Sequence, residues 1–269
     1  MQIGVRDSDL TTLKRQETPK QMSVRKSLAA LTLSMLLIGT PGYSNSTVNP
    51  YIESGTEKLD IGDYKGALKD FNQAVELSPN LAIAYYKRGT ARSYLQMYTE
   101  ALSDFNKALH INPNYWQAYN NRGIAMANAG NHSQQSLEAA IDDYNRSIAI
   151  NPENAYAHTN RGGAYRRLGQ MEKAMTDFNK ALEIDPNDAL TWSKRGFLKG
   201  TMGDNRGAIT DINRSLEIDP EDAVTISGRG VAKLNLGDIQ GACDDWKKAS
   251  SLGDTRSTHY LQENSEVCK

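Results

Sequence analysis

Apolar positions between residues 155 and 186 follow the spacing of two amphipathic helices. In AYAHTNRGGAYRRLGQMEKAMTDFNKALEIDP, small and large apolar side chains recur three and four residues apart on both sides of Gly169. That spacing places them on one face of each helix. Pro186 ends the second segment, because proline cannot continue a helix. The pattern predicts a helical hairpin that cannot bury its apolar faces alone.

Further copies of this hairpin follow one another along the chain. Their closing prolines are 34, 39, 34 and 34 residues apart, a period typical of stacked repeats: Pro79, Pro113, Pro152, Pro186 and Pro220. A glycine recurs in each first helix: Gly55, Gly89, Gly123, Gly162, Gly196 and Gly230. Each second helix repeats an alanine and, four residues later, a large residue: Ala67 and Phe71, Ala101 and Phe105, Ala140 and Tyr144, Ala174 and Phe178, Ala208 and Ile212, Ala242 and Trp246.

These columns resemble the tetratricopeptide repeat (TPR) motif over six units, residues 48–254. The resemblance implies an all-α fold, a right-handed superhelical solenoid of about six helix-turn-helix units, each contacting mainly its neighbours. Residues 255–269 are expected to form a capping helix and tail. In the family, the first large residue of each unit is often Trp. Here it is Tyr51, Tyr85, Tyr119, His158, Trp192 and Ile226. Asp254 stands where a sixth closing proline is expected.

The turns inside the hairpins carry their own signals. Gly62 can adopt the left-handed conformation that ends a helix, and Asp63 can cap the next one. The same pair recurs at 203–204 and 237–238, and in weaker form at 130–131 and 169–170. The third unit has five extra residues within Asn131–Glu138, which the sequence places in its inter-helix turn. A solvated loop is the favoured interpretation and a working face is the alternative.

Two charged columns run through the repeats. Arginines precede the glycines of units two to six: Arg88, Arg122, Arg161, Arg195 and Arg229. Aspartates precede the large residues of the second helices: Asp70, Asp104, Asp143, Asp177, Asp211 and Asp245. Their register predicts a ladder of charge-assisted hydrogen bonds; the alternative is a basic stripe for an acidic ligand. Unit one has Ser54 in the arginine position, so Asp70 is expected to pair with a neighbouring unit or stay solvated.

Residues 1–44 have the layout of a secretory signal. Basic residues precede an apolar run at 28–38, and Gly39, Pro41, Gly42 and Ser44 follow it. The run is shorter than the roughly 20 residues of a membrane span. A buried helix is the other interpretation, and Met22 is an alternative start. We expect export to a periplasm, a thylakoid lumen or the extracellular space, with tethering through an uncleaved segment as the alternative. The end of the chain also resembles exported bacterial TPR proteins, cyanobacterial ones among them.

Charge and cysteine content limit the classes of partner and the cellular compartment that the sequence suggests. Without the six basic and three acidic residues of 1–44, the remaining 25 Lys and Arg and 29 Asp and Glu give a net charge of −4. A nucleic-acid binder would show a basic surface patch, so no nucleic-acid partner is expected. In an oxidising compartment, Cys243 and Cys268 are predicted to form a disulfide if the tail folds back. Two free thiols are the alternative.

No catalytic constellation is present in the sequence. His110, His132, His158 and His259 fall in different helical contexts, and neither metal-ligand spacing nor a phosphate-binding glycine loop occurs. We therefore predict a non-catalytic protein without a cofactor or a metal.

The TPR resemblance implies a peptide-binding groove along the first helices. Carried over by register, its residues are Ile83, Tyr86, Thr90, Tyr94, Gln117, Asn120, Asn121, Ile124, Asn128, Tyr156, Thr159, Asn160, Gly163, Arg166, Arg167, Leu190, Ser193, Lys194 and Phe197. Rings and amides suit an extended peptide. The lysines of the chaperone-tail clamp are replaced by Tyr86 and Asn120, and by Gln117 or Tyr156, so that ligand class is not expected. The predicted function is a scaffold for a protein or peptide partner. The alternative is an assembly factor for an envelope or photosynthetic membrane complex.

Overall fold

The computed structural model describes residues 47–268, and every regular element in that range is an α-helix. There are thirteen: α1 Asn49–Asp60, α2 Tyr64–Leu77, α3 Ala82–Tyr94, α4 Tyr98–Ile111, α5 Trp116–Ala129, α6 Gln134–Ile150, α7 Ala155–Arg167, α8 Met171–Ile184, α9 Ala189–Thr201, α10 Asn205–Ile218, α11 Ala223–Asn235, α12 Ile239–Ser251 and α13 Thr255–Glu263. The predicted all-α fold of repeated helix pairs is confirmed. The predicted signal at 1–44 lies outside the described residues, as does Lys269.

The described chain forms two compact bodies, which divide after Ala125 within α5. In the N-terminal body, residues 47–125, α1 packs on α2 and α3 on α4. In the C-terminal body, residues 126–268, the pairs are α7 with α8, α9 with α10, and α11 with α12, and α13 packs on α12. None of the helices in residues 47–268 is long and apolar enough to cross a membrane.

The glycine column and the large-residue column meet where the two helices of a hairpin cross. A Cβ on Gly162 would lie 2.8 Å from Cε1 of Phe178, whose side chain is fully buried. Gly55 has the same relation to Phe71, at 2.6 Å. Such distances leave no room for a methyl group, so the glycine allows the ring to reach the opposite helix. The recurring spacing of the two columns is therefore a packing contact.

The turn signals behave largely as the sequence predicts. Gly62, Gly203 and Gly237 have φ values of 80°, 90° and 84°, in the left-handed region. Asp63 then caps α2 by accepting from the amide of Gly66 at 2.9 Å. The sequence alone did not explain the glycine at position 66, where a Cβ would lie 2.1 Å from the capping carboxylate. Gly207 and Gly241 stand in the same place behind the caps of α10 and α12.

The third hairpin departs from the prediction. Its left-handed residues are Asn131 and His132, with φ of 48° and 57°, whereas Gly130 makes room for Ser136. Placing all five extra residues in the turn was wrong. Helix α6 has 17 residues where α4 has 14, α5 has 14 where α3 has 13, and the turn gains one residue. Ser133 explains the longer α6, because its hydroxyl caps the helix early by accepting from the amide of Ser136.

Candidate functional site

The arginine and aspartate columns form the predicted ladder inside the hairpins. Arg161 donates from Nε to Oδ2 of Asp177 at 2.9 Å and from Nη2 to Oδ1 at 2.6 Å. The same two-pronged contact joins Arg88 to Asp104, Arg195 to Asp211 and Arg229 to Asp245. The aspartates are almost fully buried, and the arginines keep about a fifth of their side chains exposed.

An asparagine column, which sequence analysis missed, extends this ladder from one hairpin to the next. Nη1 of Arg161 donates to Oδ1 of Asn145 at 2.7 Å, on the second helix of the preceding hairpin. Equivalent bonds join Arg88 to Asn72, Arg122 to Asn106, Arg195 to Asn179 and Arg229 to Asn213. The signal was visible in the sequence, since each asparagine directly follows the large residue of its second helix.

Aromatic rings complete the surroundings of several guanidinium groups. The Arg195 guanidinium lies 4.6 Å from the centre of the Trp192 ring, and that of Arg88 lies 5.4 Å from the Tyr85 ring. A guanidinium with a carboxylate, an amide and a ring around it has most of its donors and one face occupied. This arrangement favours a structural ladder over a basic stripe for an acidic ligand.

Two hairpins vary the ladder. Asp70 accepts from Ser54 and Lys58 of its own hairpin, each at 2.7 Å, so pairing with a neighbouring unit, or solvation, was the wrong expectation. Burial would raise the pKa of Asp70, but the hydrogen bonds from Lys58 and Ser54 outweigh it and lower that pKa. In the fourth hairpin, His158 brings Nδ1 to 3.2 Å from Asp177 Oδ1. Burial raises the pKa of Asp177, and the hydrogen bonds from Arg161 and His158 bring it below its ordinary value.

In the N-terminal body, the predicted groove residues divide into packed and accessible groups. The Tyr86 ring lies 4.8 Å from that of Tyr115, and burial raises the pKa of Tyr86 to about 12. The amide of Asn121 donates to the Tyr86 hydroxyl at 3.4 Å, and the buried Asn120 donates to Asn121 at 3.1 Å. Tyr94, by contrast, is 53% exposed. Half-buried positions are Ile83, Thr90, Gln117, Asn121 and Ile124.

The C-terminal body shows the same division. Thr159, Ser193 and Phe197 are buried between helices. Tyr156 and Leu190 occupy equivalent places on α7 and α9, 34 residues apart, and are 52% and 37% exposed. Half-buried residues complete this face: Asn128, Asn160, Gly163, Arg166, Arg167 and Lys194. We call the surface around Tyr156 and Leu190 the first-helix face. Among residues 47–268, no three His, Cys, Asp or Glu side chains gather as a metal site requires.

A disulfide joins Cys243 of α12 to Cys268, with the two Cα atoms 5.2 Å apart. The tail folds back through a turn in which the amide of Cys268 donates to the carbonyl of Asn264 at 2.9 Å. Tyr260 of α13 covers Trp246, with ring centres 5.1 Å apart. Disulfide and rings together hold α13 over the apolar end of the last hairpin.

Comparison with known proteins gives the same repeat. The tetratricopeptide repeat model matches residues 82–115 and 155–188, and a TPR repeat model matches 55–93 and 132–169. No curated protein matches the chain significantly.

Solved structures share the fold at low sequence identity. The thermophilic TPR protein TTC0263 of Thermus thermophilus is 23% identical, with a TM-score of 0.63 over 70% of this chain and 100% of its own. PilW, a type IV pilus biogenesis factor, is 19% identical, with a TM-score of 0.69 over 77% and 94%. YrrB, a TPR protein with an unusual peptide-binding site, is 21% identical, with a TM-score of 0.54 over 71% and 97%. The tetratricopeptide repeat models thus match residues 55–115 and 132–188 of this chain, and the solved TPR structures share its fold.

Proposed function

We propose that this chain is a non-catalytic scaffold that binds an extended segment of a protein partner on its first-helix face. The observation that carries the proposal is the exposure of Tyr156 and Leu190 at equivalent positions of α7 and α9. Helices α7 and α9 contact each other, so the two side chains belong to one surface. Large apolar side chains that remain exposed in register mark interaction surfaces better than scattered ones do.

Neighbouring polar groups suit a peptide main chain. Asn160 and Lys194 are half-buried on the same two helices. Amide side chains can both donate to and accept from a backbone, while rings cover apolar side chains. TPR proteins serve generally as protein-interaction scaffolds, and YrrB shows that one with this fold has a peptide-binding site.

Photo-crosslinking tests this proposal in the source cells. A photoreactive phenylalanine analogue replaces Tyr156 in the full chain, and a second chain carries it at the exposed Thr210 of α10 as a control. We expect the 156 probe to crosslink a protein that the 210 probe does not. The purified partner should then bind the Tyr156→Ser, Leu190→Ser double variant about 30-fold more weakly, because losing an anchor at a hot spot costs about 2 kcal/mol. Unchanged affinity by calorimetry contradicts the proposed surface.

Export and a role in assembly form a second, finer proposal. The basic, apolar and small-residue layout of 14–44 supports export, and so does the bonding of both cysteines, because disulfides persist in oxidising compartments. An exported scaffold with these repeats suits the assembly of an envelope or photosynthetic membrane complex. The identity of the crosslinked partner separates this role from a general peptide-binding one.

A further inference from the structure

A small hollow opens between α9, α10 and α11 in the C-terminal body. Its volume is about 40 Å³, and Phe197, Ile212 and Val231 line it with apolar atoms. Since one water-sized group needs about 10–15 Å³, the hollow has room for about three such groups. That is the size of a small branched aliphatic side chain.

Two repeat columns carry glycine beside the hollow, and the one at Gly200 leaves it open. Gly200 stands where the fourth hairpin has Arg166 and the sixth has Leu234. Gly228 stands where the previous hairpin has Lys194, and the Phe197 ring fills that space. Above Gly200, a Cβ would meet only the Ala208 Cβ, at 3.6 Å, which is an ordinary contact. The space over Gly200 therefore remains open.

Polar groups border this apolar floor. Nδ2 of Asn235 donates to Oδ1 of Asn205 at 3.2 Å, and both residues line the hollow. An amide side chain has four hydrogen-bonding positions, so this pair keeps capacity for a peptide backbone. An apolar floor with amides at its rim suits a side chain presented by an extended main chain.

Positive charge lies one repeat away along the same face. Arg166 and Arg167 are the repeat equivalents of Gly200 and Thr201, on the neighbouring α7. Packed helices lie about 9 Å apart. An extended chain in the polyproline II conformation advances about 3.1 Å per residue with three residues per turn, so side chains three residues apart point to the same side. A carboxylate three residues from the buried side chain would therefore reach the arginine pair, whose forked donors suit carboxylates.

We propose that this hollow is the specificity subsite of the first-helix face. It takes an aliphatic side chain of an extended partner segment that carries an Asp or Glu three residues away. This inference rests on the proposed function and adds the chemistry of the partner. Charge complementarity with Arg166 and Arg167 selects an acidic segment over a basic or wholly apolar one.

The probe is a phage-displayed library of random peptides, panned on the whole chain. Enriched peptides should share an acidic residue three positions from an aliphatic one. In fluorescence anisotropy, Gly200→Leu should weaken their binding about tenfold or more, because the leucine fills the hollow and even one methylene lost from an apolar pocket costs that much. Leu234 shows that the repeat accepts leucine at this position. Thr210→Leu, on the exposed side of α10, should leave binding unchanged.

If Gly200→Leu loses its helicity or its melting transition, changes in the peptide and in the arginine pair test the subsite instead. Serine in place of the peptide's aliphatic residue should weaken binding to the original chain. Replacing the peptide's acidic residue by an uncharged one should also weaken binding to the original chain. The same replacement should not weaken binding to the Arg166→Gln, Arg167→Gln variant any further, because that variant has already lost the charges. Peptides that bind a folded Gly200→Leu chain equally well overturn the subsite and leave the scaffold function standing. A library that yields no binding peptide overturns both.

Discussion

Arg161 and Asp177 meet through two parallel hydrogen bonds, while the remaining guanidinium nitrogen of Arg161 holds Asn145 of the preceding hairpin. One side chain thus ties together the two helices of its own hairpin and also the neighbouring hairpin. The contact recurs in four hairpins, so it belongs to the repeat and not to one local site.

Removing Arg161 should be strongly destabilising. Arg161→Met leaves the nearly buried Asp177 without its main partner, which costs about 3 kcal/mol in free energy of unfolding. Asn145→Ala should cost about 1 kcal/mol, the value of one hydrogen bond. Urea denaturation measures both. Arg214→Ala is the control, because its ion pair with Glu217 is exposed and worth under about 1 kcal/mol. Equal losses for Arg161→Met and Arg214→Ala would contradict the ladder.

Acid should weaken the ladder. Despite burial, hydrogen bonds hold the pKa values of Asp70 and Asp177 below the unfolded value of 3.8. A depressed carboxyl pKa contributes stability that is complete above the unfolded pKa and is lost as the pH falls through the folded one. We therefore expect the melting temperature to fall below about pH 4, and Asp177→Asn to flatten this fall. If the melting temperature of Asp177→Asn fell with pH as steeply as that of the original chain, Asp177 would not be a source of the acid sensitivity. Asp142→Asn, at an exposed position, is the control.

Two glycines of similar helical context should respond oppositely to alanine. At Gly162 the added methyl meets the Phe178 ring at 2.8 Å, so Gly162→Ala should lower stability by about 1–3 kcal/mol through overpacking. At Gly200 the space is open, so Gly200→Ala should raise stability by up to about 1 kcal/mol through helix propensity. Thermal melts of the two variants decide this, and shifts of the same sign would contradict the packing described here.

The disulfide should stabilise the cap. It closes a sequence separation of 25 residues, and chain entropy gives about 3 kcal/mol for a loop of that length. In Cys243→Ser, Cys268→Ser, hydrogen exchange should quicken in α13 and remain unchanged in α1–α4. Intact mass after alkylation without reductant supplies the direct check. Two alkylated cysteines in freshly isolated protein would contradict the bond.

Export predicts a processed N-terminus. Sequencing of protein isolated from its source should begin between Asn45 and Thr47, just after the apolar run and its small residues. The N-terminus should be sequenced from both the soluble and the membrane fractions, because an uncleaved N-terminal segment would tether the chain to the membrane. Intact protein starting at Met1 or Met22 in a cytosolic fraction would refute export.

Sequence periodicity predicted most of the fold, because residues that contact each other in one repeat recur at equivalent positions in the others. Gly162 and Phe178 touch in the structure, and their spacing recurs in every hairpin except the third, so pattern alone placed them together. The face of each helix was likewise predictable. The burial of each side chain was not predictable. Thr159 and Phe197 were predicted on the same groove face as the exposed Tyr156, but how deeply the next hairpin covers them depends on packing between hairpins.

The third hairpin shows a second limit. A count of residues between columns located the insertion but not its structure, because three extra residues can extend a helix as readily as a turn. The cap at Ser133 decides the outcome, and a serine in a polar stretch is a weak signal on its own.

The asparagine column ends before the last hairpin. Each hairpin from the first to the fifth offers an amide oxygen to the arginine of its successor, but the sixth has Lys247 in that place. An ammonium group has no lone pair to offer a guanidinium, and two like charges would repel each other. A seventh hairpin built on the same rules would find no acceptor at this end. The hydrogen bond that joins each hairpin to its successor is therefore missing from the last hairpin, whose outer apolar face α13 covers instead.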